Sequence, residues 1–189
     1  MLTIKSWAVY ALCVLVLSSC EFKCSMGKSS DTPTKTVSSS TTEKDGMILT
    51  NNISLDAKGI KVSKATLVGP DNMQVPDDNI VDLQEKIRMV LYLNESWQLK
   101  DGKAFLGASE KITDSNGETI LNAGDLFSEE TAGLDPEDSK VVKIGAQLDK
   151  ESPNNKYYNV EFKVWNKVAD QSVSGNYKFH IRQGSAPSN

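Results

Sequence analysis

Tyr157-Tyr158-Asn159-Val160-Glu161-Phe162-Lys163-Val164-Trp165 decides how this chain folds. Tyr158, Val160, Phe162 and Val164 fall on one side of an extended segment; Asn159, Glu161 and Lys163 fall on the other. Successive side chains of a strand point to opposite faces, so a period of two over this length predicts a half-buried β-strand. The same period recurs in Ile87/Met89/Leu91/Leu93, in Val142/Ile144/Ala146/Leu148 and in Tyr177/Phe179/Ile181. Ile60 and Val62 open another stripe, whose phase slips at Lys64 before Ala65 and Leu67. A β-bulge or a break would produce that slip.

The turns agree with strands. Asp101-Gly102 lies between Trp97–Leu99 and Ala104–Leu106, and Asn116-Gly117 lies between Lys111–Ile112 and Thr119–Leu121. Both dipeptides supply the positive φ angles that two-residue hairpin turns need. No long helical period is present; the best helical segment is one turn at Asp135-Pro136-Glu137-Asp138, with Asp135 as N-cap and Pro136 in the first position. Seven to nine strands over residues 46–184 predict an all-β, antiparallel, immunoglobulin-like β-sandwich, with a small barrel as the alternative. The Cys-Trp-Cys pattern of true immunoglobulin domains is missing.

The N-terminus has another character. Lys5 precedes an apolar run from Trp7 to Leu17, which ends in Leu17-Ser18-Ser19-Cys20. The run is too short to span a bilayer and has the length of a signal-peptide core. The closing tetrapeptide resembles the lipobox of bacterial lipoproteins. That resemblance implies removal of residues 1–19, diacylation of Cys20 and a protein lipid-anchored to a membrane outside the cytoplasm. Glu21, rather than Asp, after the cysteine implies the outer membrane. Residues 20–45, from the lipidated cysteine through a Ser/Thr-rich run that includes Ser38-Ser39-Ser40-Thr41-Thr42, hold almost no large apolar side chain. Such a segment cannot offset the entropy of ordering, so it reads as a disordered tether, as does the tail 185–189. Of the cysteines Cys13, Cys20 and Cys24, only Cys24 would keep a thiol after processing. The domain must then be held by its core without a disulfide.

The lipobox, the tether and the block Asp101-Gly102-Lys103-Ala104-Phe105-Leu106-Gly107 leading to Asp125-Leu126-Phe127 are together similar to the small β-sandwich lipoproteins of Bacteroidota. The resemblance implies a surface or periplasmic accessory protein; it carries over no functional residue.

Composition and motifs narrow the function. The formal charge is −4, one unit lower without Lys5, and no basic patch is concentrated anywhere, which argues against a nucleic-acid partner. His180 is the single histidine and falls on the outward face with Lys178 and Arg182, without the second group that catalysis or a metal requires. No nucleophile elbow, phosphate loop or dinucleotide fingerprint occurs, so neither an enzyme nor a cofactor is expected. Asp125, Glu129, Glu130, Asp135, Glu137 and Asp138 crowd one connection, and calcium favours several oxygens on a flexible loop. The spacing does not match an EF-hand, so the 125–138 loop is a candidate metal site by composition only. Trp97, next to a turn, and Trp165, on the polar side of its strand, are candidate binding residues. An exposed indole stacks on a sugar ring or anchors a protein interface, unless neighbouring loops cover it. The expected function is a non-enzymatic, lipid-anchored binding or accessory module for an envelope protein or glycan. The alternatives are a structural component of an envelope complex, and a calcium-dependent module or hydrolase that uses the acidic loop.

Overall fold

The computed structural model describes residues 41–184. The expected signal peptide, Cys20, Cys24, most of the expected tether and residues 185–189 lie outside the described residues. Within them the chain forms eleven strands: β1 (Thr42–Lys44), β2 (Met47–Leu49), β3 (Ser54–Lys58), β4 (Val62–Val68), β5 (Ile80–Val81), β6 (Ile87–Leu93), β7 (Leu106–Asp114), β8 (Thr119–Ala123), β9 (Val141–Ala146), β10 (Tyr158–Asn166) and β11 (Ser172–Ile181). One sheet has the order β1-β2-β4-β6-β9. The other has the order β3-β11-β10-β7-β8, with β5 joined in parallel to the end of β11. The fold is the all-β sandwich that the alternation predicts, with eleven strands in place of seven to nine. The surplus comes from very short pieces at the margins, β1 and β5 above all.

The stripes become the core. Met89, Leu91 and Ile144 from one sheet, and Ile112, Tyr158, Val160, Val164 and Phe179 from the other, belong to one buried cluster. Tyr158 stacks on Phe179 with ring centroids 5.3 Å apart. Each such large apolar side chain contributes about 1.5–3 kcal/mol by leaving water. The phase slip near Lys64 is a register shift between Val62 and Lys64 where β4 pairs with β6.

The turns hold two corrections. Asp101 (φ +52°) and Gly102 (φ +78°) both take the left-handed conformation of a two-residue turn, yet they close a single bridge between Lys100 and Lys103 and no strand pair. Beyond β7 the connection is longer than two residues, and Gly117 (φ +88°) alone is left-handed there. The Asp114 carboxylate organises it by accepting the N–H groups of Asn116 and Glu118, each at 2.9 Å. Burial alone would raise the pKa of Asp114; these N–H groups, with the Asn116 amide, outweigh it and lower the pKa. A third turn, Asp45-Gly46 (φ +53° and +75°), joins β1 to β2, so β1 falls inside the segment assigned to the tether.

The expected turn at Asp135 is a 3-10 helix over Asp138–Lys140. Glu137, not Asp135, is its N-cap and makes no capping side-chain bond, and the Asp135 carboxylate pairs with Lys103 at 2.8 Å. Near β2 a buried polar cluster ties the two sheets together. Asn51 Nδ2 donates to Asn79 Oδ1 and to the Val75 carbonyl, both at 2.9 Å, and Asn51 Oδ1 accepts the Leu67 N–H at 3.1 Å. Asn79 Nδ2 donates in turn to the Lys178 carbonyl on β11, at 2.7 Å.

Candidate functional site

The outer face of the six-stranded sheet carries a groove of about 490 Å³ that crosses the strands. Its walls are two rows set by register. In one row, Asp56, Ser174, Lys163 and Ser109 lie side by side on β3, β11, β10 and β7. In the other, Ser54, Asn176, Glu161, Lys111 and Asn122 continue across to β8. Between the rows, Leu55, Gly175, Phe162, Glu110 and Ala123 occupy the positions whose side chains turn inward, so the outward floor is bare backbone. Gly175 is required there: a Cβ would collide with the Ser54 carbonyl of β3 and would stand 2.7 Å from Phe162 Cζ. Among the described residues, none of the nine wall side chains makes a hydrogen bond or ion pair within the protein.

Trp165 stands beside the groove on the same face of β10, between Gly107 on β7 and Ser172 on β11. It is half-buried. The buried side is the glycine: a Cβ on Gly107 would run into Cε2, Cζ2 and Nε1 of the indole. The ring therefore covers Gly107 and remains partly exposed to solvent. A second depression of about 330 Å³, lined by Trp165, Asn166, Asp170 and Gln171, adjoins the groove through Lys163.

Beneath the groove the sheet is polar where it should be apolar. Glu110 is 2% exposed and Tyr177 1% exposed. One Glu110 carboxylate oxygen and the Tyr177 hydroxyl have no hydrogen-bond partner in the protein. Burial pushes the Glu110 pKa up from 4.5 to about 7. Burial, and then the negative charge of Glu110, raise that of Tyr177.

The structure divides the residues singled out from sequence. Trp165 faces outward as expected. Trp97 does not: it is 1% exposed and donates its indole N–H to the Ser139 carbonyl at 3.1 Å. It is a core residue with no ring face to offer. The acidic loop disperses into local partnerships. Asp125 accepts the N–H groups of Ala108 and Phe127 and pairs with Lys167 at 2.8 Å. Partial burial would raise its pKa, but Lys167 and those N–H groups lower it. Asp135 pairs with Lys103, Glu137 with Lys140 at 2.7 Å, and Glu130 accepts the Ala132 N–H. No set of three or more His, Cys, Asp or Glu among the described residues, Glu129 and Asp138 included, is placed to hold a metal ion. His180 is exposed, with Nδ1 2.8 Å from the Lys156 carbonyl. The groove itself escaped the sequence, because its walls come from five strands and are brought together only by register.

No family model matches the chain, and no curated protein does. Among solved structures, the C-terminal domain of Wzt is similar at 12% identity with a TM-score of 0.44, over 71% of this chain and 80% of that one. That likeness bears on neither ligand nor activity.

Proposed function

We propose that this protein is a non-enzymatic binding module of the bacterial cell envelope, anchored by lipid on Cys20, which presents the outer face of its six-stranded sheet to a partner. The observation that supports the binding face is the groove with nine uncommitted polar side chains in two registered rows. Some exposed polar side chains elsewhere on the sandwich are engaged, as Lys58 is with Asp170 and Arg182 with Asp82. The lipobox resemblance supports the anchor. Stable membrane attachment needs two or more acyl chains, each contributing about 0.8 kcal/mol per buried CH₂.

Photo-crosslinking in cells tests the face. A crosslinking residue at Ser109 or Ser174 of the full-length protein should capture an envelope component, and one at Lys143, exposed on β9, should not. Equal capture from both faces, or none from either, refutes the binding face. The anchor is tested by fatty-acid labelling. Cys20→Ala should lose both label and membrane association, and Cys24→Ala should keep both. The reverse pattern would move the lipid to Cys24, and retention in both variants would remove it.

A further inference from the structure

We infer that the occupant of this face is an uncharged saccharide chain, laid across the strands through the groove with one sugar ring stacked on Trp165. The inference rests on the binding-face reading and gives it a ligand class.

Three features point to a sugar. A pyranose has an apolar C–H face and a rim of hydroxyls, so it needs a flat aromatic surface beside groups that both donate and accept. Trp165 supplies the surface, held flat because Gly107 leaves room for the indole beneath it. The groove supplies the rest: hydroxyls at Ser109 and Ser174 and amides at Asn122 and Asn176, none of them engaged within the protein. These groups match hydroxyls in either hydrogen-bond sense.

The charges at the groove decide against a polyanion. Lys111 and Lys163 are set against Asp56 and Glu161, and each lysine stands beside the glutamate across or along the sheet. A polyanionic chain would meet as many repulsive groups as attractive ones. A peptide fits less well, because peptides add to sheet edges and seek pockets for alternate side chains. This groove lies across the middle of the sheet, with its uncommitted side chains polar.

The two depressions share Lys163 as a wall and measure about 490 and 330 Å³, within the range of about 300–1,000 Å³ for small-ligand sites. A chain of several sugars would use both, with its stacked ring in the smaller.

The test uses the full-length protein in detergent and three probes from the envelope of the producing cells: protein-free polysaccharide, the same material after periodate cleavage of its vicinal diols, and a polysaccharide-free protein fraction. The protein should be retained on the intact polysaccharide with little change from low to high salt. Periodate treatment should abolish retention. Trp165→Ala should weaken it at least tenfold, and Gly107→Ala, which keeps the ring but lifts it, several-fold. The emission of Trp165→Ala should remain that of buried Trp97, and Gly107→Ala should keep a cooperative urea-unfolding transition, which shows that both fold. Intact polysaccharide should shift wild-type emission and leave that of Trp165→Ala unaltered.

Binding that survives Trp165→Ala, or that collapses with salt, overturns the inference. Retention on the protein fraction alone, lost in a Ser174→Lys variant, keeps the binding face and rejects the sugar. No retention on any probe rejects both.

Discussion

Asn51 and Asn79 lie in the interior with every side-chain hydrogen-bonding group occupied, whereas Glu110 and Tyr177, just as buried, each leave an oxygen without a protein partner. The first pair links the five-stranded sheet to β11 through backbone groups that would otherwise be stranded. The second lies under the groove: Glu110 is opposite Phe162 on β10, and Tyr177 is two residues from Gly175 on β11. An unpartnered buried polar atom costs about 1–3 kcal/mol, more if charged. One buried cluster is thus a fastening, and the other is a local loss of stability confined to the sheet that carries the groove. Departures from internal consistency of this kind concentrate where a protein does its work.

Replacing Asn51 should produce the largest effect. Asn51→Leu strands the Leu67 N–H, the Val75 carbonyl and the Asn79 side chain, and it places a branched residue at φ +57°. The expected loss is about 3–5 kcal/mol in urea unfolding, with both sheets melting together. A loss below about 1 kcal/mol would break the contrast.

Glu110 comes next, and its signature is pH. Folding raises its pKa from 4.5 to about 7, so the native state holds this proton more tightly than the unfolded chain does. Its contribution is complete below pH 4.5, declines as pH climbs to about 7 and is level above that. The decline is on the order of 3 kcal/mol. Glu110→Gln should remove it, so that wild type and variant differ little at low pH and diverge in favour of the variant at neutral pH. Parallel stability curves would show that Glu110 is partnered.

Tyr177→Phe should have the smallest effect and the opposite sign to that of Asn51→Leu. Deleting a hydroxyl without a partner should be neutral or stabilising by up to about 1 kcal/mol, read from the urea midpoint. Destabilisation beyond that would mean that the hydroxyl is satisfied.

The strands were legible because alternation is a local property: Tyr158 to Val164 carry their burial in their own spacing. β1 was not, because Thr42, Glu43 and Lys44 are all exposed and present no stripe; only Asp45-Gly46 marks the hairpin. Trp165 was legible as a break in phase. Trp97 was misread because what covers it, the Ser139 carbonyl, lies 42 residues away. The acidic loop shows the limit of composition: a count of carboxylates does not say that Lys167, Lys103 and Lys140 will divide them. Pairing register is a long-range property, and the groove depends on it entirely.

The β1–β2 hairpin also has a mechanical consequence. It is the rim of its sheet, and tension from the N-terminal side would open it from Thr42↔Leu49 towards Lys44↔Met47, one pair at a time. Such unzipping needs little force and exposes nothing apolar from β1, whose three residues are already in water. The pull then reaches β2, paired in parallel with β4, and behind it Thr50 and Asn51, where bonds to Thr66, Leu67 and Asn79 are loaded together. The hairpin thus works as extra slack that yields before the sandwich does. In a single-molecule pulling record it would appear as a short, reversible extension at low force, ahead of one abrupt rupture.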